Sequence, residues 1–126
     1  MNKNDLFYFA HPYTCYPLNG NGRFPAEQAN FNLCCMRTAK LIQAGYFVYS
    51  PICHTHPVHL AAPEFIVDGE RELWMELDKL IIEKTDFAGL ILAPGWWKSV
   101  GCGAEYNIFC KKKKPILFYH NIAKDD

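Results

Sequence analysis

The sequence predicts one α/β domain, a three-layer sandwich built around a parallel sheet, and three observations predict it. Four short apolar runs alternate with longer segments of helical character. The first and third runs, Leu-Phe-Tyr-Phe-Ala and Phe-Ala-Gly-Leu-Ile-Leu-Ala, are continuously apolar rather than alternating, as strands covered on both faces are. The chain has 126 residues, so residues 1–126 read as a single domain that buries a core without disulfide or metal support.

Each element follows in order. Leu6–Ala10 is the first expected strand. Ala26–Ala44 is expected as a helix, because Phe31, Cys34, Cys35, Thr38, Leu41 and Ile42 form a stripe at helical spacing and Gly45 supplies the stop. Tyr46–Ser50 is the second strand, halted by Pro51. Arg71–Lys84 is the next helix, with Leu73, Trp74, Leu77, Leu80 and Ile81 to one side. Phe87–Ala93 is the third strand, ended by Pro94-Gly95. A helix begins near Gly101 or Gly103 and runs to Lys113. Pro115–Tyr119 is the fourth strand, with proline at its first position, where a missing donor is tolerated. Cys15–Pro25, with its Asn19-Gly20-Asn21-Gly22 turn signals, and Pro51–Gly69, with three histidines and three prolines, read as long loops.

Right-handed crossovers between these strands favour a flavodoxin-like (Rossmann-like) sheet of order 2-1-3-4. Ligands bind such sheets at the carboxyl ends of the strands, where the order switches between strands one and three. The segments leaving those strands are His11-Pro12-Tyr13-Thr14 and Gly95-Trp96-Trp97-Lys98-Ser99-Val100-Gly101. Both are rich in binding and reactive groups, and both border one crevice.

Composition narrows the function classes. With 13 basic and 13 acidic side chains the formal net charge is zero, so no general attraction to nucleic acid or an anionic membrane is expected. Lys111-Lys112-Lys113-Lys114 reads as a basic helix C-terminus that complements the helix dipole. No apolar stretch approaches the roughly 18–20 residues that span a bilayer. Met1–Asp5 leads directly into the first strand without a signal peptide, so a cytoplasmic location is expected, with the six cysteines as free thiols. A P-loop, a first-turn Gly-x-Gly-x-x-Gly, a Gly-x-Ser-x-Gly elbow and a Cys-x-x-Cys pair are all missing. Cys53, His54, His56 and His59 follow no common zinc spacing. Neither a metal nor a cofactor is expected. The three histidines are left as pocket-lining or surface residues.

Glu105 is the first candidate for chemistry. Gly101 and Gly103 let the backbone approach a ligand, and a helix starting there aims free N–H groups at the crevice. The helix dipole is expected to keep Glu105 anionic, as a nucleophile or base; the alternative is an acid placed for helix stability. Asp78 shares a helical row with Trp74 and Ile81, which puts a carboxyl on or beside the buried face. A salt bridge to a neighbouring lysine or arginine is its alternative. Tyr8 lies within strand one, either reaching the crevice or filling the core. His11 directly follows that strand and is the better pocket histidine. Asp86 reads as a cap or turn residue. Trp96 and Trp97 either stack on a base or present a surface to a partner.

Phe7-Tyr8-Phe9-Ala10, Trp74 to Asp78, Thr85-Asp86 and the ungapped Gly101-Cys102-Gly103-Ala104-Glu105 together carry a resemblance that covers nearly the whole chain. The chain resembles the nucleoside 2-deoxyribosyltransferase superfamily, which includes deoxynucleoside 5′-monophosphate N-glycosidases. The resemblance implies that Glu105 attacks the anomeric carbon, that Asp78 helps protonate the departing base, and that Tyr8 positions the nucleophile. This logic is that of two-carboxylate glycoside hydrolysis. Ser99 occupies the position where nucleotide hydrolases of the superfamily carry serine and transferases acting on free nucleosides carry an acid. A serine beside a helix N-terminus suits a 5′-phosphate, which an acid repels. Ser99, Gly101, Gly103, His11, Tyr13 and Trp96 are therefore the expected substrate-binding residues. The segment His11–Pro17 departs from the Gly/Arg-rich phosphate loop of those hydrolases, and only Arg23 follows further on. The expected partner is a nucleotide or nucleoside, and the expected assembly a homodimer or higher homo-oligomer. The competing readings are a non-catalytic nucleotide or nucleotide-sugar sensor, and an interaction module that exposes Trp96 and Trp97.

Overall fold

The structure is a computed structural model that describes residues 4–13, 24–61 and 70–125. Most of the expected loop Cys15–Pro25, and the second half of the expected loop Pro51–Gly69, lie outside the described residues. Four parallel strands, β1 (Leu6–Ala10), β2 (Phe47–Tyr49), β3 (Gly89–Leu92) and β4 (Ile116–Phe118), form one sheet in the order β2-β1-β3-β4. Four helices accompany them: α1 (Phe24–Gln43), α2 (Pro51–Ala61), α3 (Glu70–Lys84) and α4 (Val100–Lys111). The expected order 2-1-3-4 is the observed one.

Alternation along the central strands builds two cores. Phe7 and Phe9 of β1, with Ile91 and Ala93 at β3, pack against Cys34 and Leu41 of α1, Ile52 of α2 and Tyr119. Tyr8 and Ala10, with Leu90 and Leu92, face Ile82 of α3 and Cys102 and Phe109 of α4. The sheet thus separates an α1/α2 layer from an α3/α4 layer. Continuous apolar strands are the consequence, since every position of β1 after Leu6 and all of β3 are buried.

Local chemistry sets the helix ends. Gly45 adopts φ 98°, and the amides of Gly45 and Tyr46 bond the carbonyls of Ile42 and Leu41, each at 3.0 Å. This is a Schellman closure, and it turns the chain from α1 into β2. After β3, Pro94-Gly95 makes a tight turn closed by Trp96 N–H to the Ala93 carbonyl at 3.2 Å, with Gly95 at φ 80°. A single 3-10 turn, Trp96–Lys98, then delivers Ser99 as the N-cap of α4, its Oγ accepting from the Cys102 amide at 3.2 Å. The lysine run closes that helix and also serves its neighbours. Lys112 Nζ donates to the Ile82 carbonyl at 3.3 Å, and Lys114 pairs with Asp86 at 2.9 Å. Asp86 is accordingly an exposed ion-pair partner.

Two expectations need correction. Pro51–Ala61 is a helix rather than a loop. Its buried positions are Pro51, Ile52, Thr55, His56 and His59, so the helical period is present but is written largely in polar residues. Pro51 stands at the first helical position, and Ser50 Oγ accepts from the Cys53 amide at 3.4 Å as the cap. Pro57 lies on the exposed side. On α3, Leu73 and Leu80 are about half exposed, while Trp74, Leu77, Asp78 and Ile81 turn further inward. Among the described residues no helix is long and apolar enough to cross a membrane.

Candidate active site

A cavity of about 510 Å³ opens at the carboxyl ends of β1 and β3, the switch point of the sheet. Strand β1 feeds it His11 and Tyr13; α2 contributes Pro51, Ile52 and Thr55; α3 contributes Trp74 through Lys79 without Leu77; α4 walls it from Ser99 to Lys111. Glu105 and Asp78 both line it, brought from α4 and α3 to one space.

Tyr8 stands behind them. It is wholly buried, and its ring is fixed against Phe87 at 5.4 Å, Phe109 at 5.7 Å and Tyr49 at 6.0 Å between centroids. Its phenol hydroxyl donates to Glu105 Oε2. One carboxylate oxygen of Glu105 is therefore held from the protein side, and the ring box leaves Tyr8 little freedom to move with it.

The electrostatics correct one expectation. Glu105 sits in the second turn of α4, beyond the reach of the helix dipole, which is confined to the first turn. Burial pushes its pKa up to about 8, the charge on Asp78 pushes in the same direction, and the Tyr8 hydrogen bond opposes both. Asp78 is pushed up to about 7 by burial. Its Oδ1 is buried with no hydrogen-bond partner among the described residues, so the salt-bridge alternative is not the observed arrangement. Tyr8 itself is raised well above the ordinary phenol value, by burial first and then by the two carboxyls. The pair can hold and exchange a proton near neutral pH.

The glycines act through space. A Cβ on Gly101 meets nothing nearer than Ser99 Oγ at 3.9 Å, and one on Gly103 meets nothing within 4 Å. Gly101 lines the cavity and Gly103 does not. At Gly101, the missing side chain leaves room rather than relieving a clash. Ser99 lines the cavity while its Oγ caps α4. Trp96 is set apart from the cavity and stacks on Tyr106 at 4.8 Å; Trp97 is 66% exposed.

On the α1/α2 side, His11 lines the cavity with both ring nitrogens engaged. Arg37 Nη1 donates to Nε2 at 2.9 Å, which puts the proton on Nδ1, donated to the Pro12 carbonyl at 2.8 Å. Burial, with help from Arg37, lowers His11 to about 4. Arg37 is in turn clasped by both Asp125 oxygens, at 3.0 and 2.8 Å. His11 thus presents a neutral ring to the cavity and no free nitrogen. Tyr13 Oη lies 2.5 Å from His56 Nδ1 and 3.4 Å from His59 Nδ1, and His56 Nε2 donates to Gln28 Oε1 at 2.9 Å. His54 is exposed. No group of three metal-ligating side chains converges among the described residues.

Sequence reasoning did not single out Met75, Lys79, Asn107, Lys111 or the α2 contributors as lining residues. For α4 the signal was present: Gly101, Ala104, Ile108 and Lys111 continue one helical row from the loop. For α2 the missing signal was the helix itself.

No curated protein matches the chain. A family profile described as a domain of unknown function (DUF1937) matches residues 5–121. That match takes in all four strands and the carboxyls of Asp78 and Glu105, and the chain belongs to this family.

Proposed function

We propose that this protein cleaves or transfers the glycosyl group at the N-glycosidic bond of a nucleotide or nucleoside. The observation that carries the reading is one cavity shared by two carboxyls with raised pKa, one of them held by a buried tyrosine. Glu105 attacks the anomeric carbon as the bond to the base breaks, and the Tyr8 hydroxyl holds its second oxygen in line. Asp78 delivers the proton that the departing base takes up. Water, or a second base, then attacks the same carbon, and Glu105 leaves as carboxylate. The positive charge that develops on the sugar favours an anionic Glu105 in the transition state, which is where such stabilisation counts.

Ser99 supports a phosphorylated substrate. Its Oγ accepts from the Cys102 amide, which sets the hydroxyl beside the N-terminus of α4 at the cavity wall. The same reading takes the protein as a cytoplasmic homodimer, for which sedimentation is the direct check.

The test is base release, followed by chromatography, over ribo- and deoxyribonucleosides and their monophosphates, with Glu105→Ala run in parallel. Turnover by the native chain that disappears in the variant supports the reading. Nucleotide binding that is equal in both proteins, with no base released by either, replaces it with a sensor. Ser99→Asp is expected to weaken a monophosphate more than its nucleoside; equal effects on both remove the phosphate argument.

A further inference from the structure

Away from the cavity, α1 and α2 bring three cysteines together. Cys35 Sγ lies 3.5 Å from Cys53 Sγ across the helix contact. Cys34 Sγ lies 3.2 Å from Ser50 Oγ and is fully buried, whereas Cys35 and Cys53 are partly exposed. Cys53 is the third residue of α2, where its own amide is bonded by the Ser50 cap and the free N–H end of the helix favours a sulfur anion. Thr38 gives its hydroxyl proton to the Cys34 carbonyl at 2.7 Å, so it fixes the α1 side of the cluster.

We propose that Cys35 and Cys53 are a peroxide-responsive thiol pair that closes to a disulfide joining α1 to α2. A disulfide has sulfurs about 2.05 Å apart, so this pair must close by about 1.5 Å, within reach of side-chain rotation and a small helix shift. The other contacts assign the roles. The buried Cys34 thiol first, then Ser50 and Cys35, lower Cys53 to about 5, while burial and Cys53 raise Cys35 to about 11. Cys53 is the attacking thiolate and Cys35 the resolving thiol.

The steps balance with hydrogen peroxide as the oxidant. The Cys53 thiolate attacks one peroxide oxygen, the O–O bond breaks, and the hydroxide released takes a proton to become water. Cys53 is now a sulfenic acid. The Cys35 sulfur attacks the Cys53 sulfur, the S–O bond breaks, and the departing hydroxide leaves as water with the Cys35 proton. Two thiols are oxidised by two electrons in all, and one peroxide is reduced to two waters. The new bond ties down the first turn of α2, whose Pro51, Ile52 and Thr55 form one wall of the cavity.

The experiment treats the full-length protein with hydrogen peroxide and counts thiols before and after. The expected result is loss of two thiols, restored by dithiothreitol, a mass lower by two hydrogens, and a peptide map that joins Cys35 to Cys53. Cys35→Ser is expected to stop at a sulfenic acid on Cys53 that dimedone traps, and Cys53→Ser to leave Cys35 unreacted at the same dose. Unchanged thiols in the native chain, or a link between any other pair of cysteines, overturns the proposal. The native-chain measurement stands even if a serine variant fails to fold.

Discussion

The two faces of the sheet differ in how His11 and His56 on one, and Asp78 and Glu105 on the other, are held. Towards α1 and α2, every named histidine nitrogen is matched: His11 lies between Arg37 and the Pro12 carbonyl, and His56 between Tyr13 and Gln28. Towards α3 and α4, Asp78 keeps a buried oxygen that has no partner among the described residues, and Glu105 is held on one oxygen by Tyr8. A satisfied buried network specifies packing, whereas an unsatisfied charge persists only where the fold compensates for it elsewhere. The histidine side is therefore read as scaffold and the carboxyl side as the reacting surface, although both border the same cavity.

The largest effect expected from this contrast is on turnover. Glu105→Ala should lower the rate of base release by at least about 10³-fold, as loss of a nucleophile does, while binding changes little. Steady-state and single-turnover assays on the substrate found in the panel check it. A comparable loss from a histidine-side variant would erase the distinction between the two faces.

That variant is His56→Ala. The His56 ring is fully buried, stacked on Phe31 at 4.5 Å, and bonded at both nitrogens. Its removal leaves a void and takes one hydrogen-bond partner each from the Tyr13 hydroxyl and the Gln28 carbonyl oxygen. A loss of about 2–4 kcal/mol in urea unfolding is expected. Turnover per folded molecule should stay within about tenfold of the native chain, far above what loss of a nucleophile leaves. Intact stability with lost turnover would move His56 into the reacting machinery.

How much of this was legible beforehand differs by face in the same way. The sheet order followed from four apolar runs, and Asp78 was placed inward because three residues at helical spacing share a row. The α2 helix was not legible, because its buried row reads Ile52, Thr55, His56, His59 and an apolar-period search passes over it. The protonation of Glu105 was not legible either. Helix position argued for an anion, but the enclosure contributed by β1, α3 and α4 dominates, and burial by distant segments leaves no mark in a local window. Trp96 and Gly103 lay in the right loop and still missed the cavity, since the 3-10 turn swings the tryptophan onto Tyr106 and the helical rotation carries Gly103 off the lining row.

The faces also answer pH with opposite sign. A histidine lowered by burial, as His11 is to about 4, contributes stability that is present above its unfolded value and lost as pH falls through the folded one. A carboxyl raised by burial, as Glu105 is from 4.5 to about 8, contributes stability that is present below its unfolded value and lost as pH rises through the folded one. Above about pH 7.5 His11 is largely neutral in both states, while the buried carboxyls still lose stability as pH rises and Cys53, lowered to about 5, still gains it. The carboxyl contribution is therefore read by comparing the native chain with a variant that lacks it. Glu105→Gln keeps an acceptor for Tyr8 and removes the titration. Its melting temperature should match the native chain near pH 5 and exceed it above pH 8, with a gain on the order of a few kcal/mol. Melting curves at pH 5, 7 and 8.5 check this, and a gain that is the same at every pH would show that the carboxyl is not the group responsible.

The smallest effect is also the most selective. Gly101 is the second residue of α4, a Cβ there meets open space, and the position lines the cavity. In a helix, alanine is worth up to about 1 kcal/mol over glycine, so Gly101→Ala should raise stability slightly. If the open space is where the sugar or its phosphate rests, the same methyl group should raise KM or lower kcat. Gly103→Ala shares the helix and the open surroundings but lies off the lining row, so it serves as the control, with a similar gain in stability and unchanged kinetics. Opposite movements of stability and activity at Gly101, and parallel indifference at Gly103, would locate the substrate against the first turn of α4. Equal kinetic behaviour of the two variants would move the substrate towards the α2 wall.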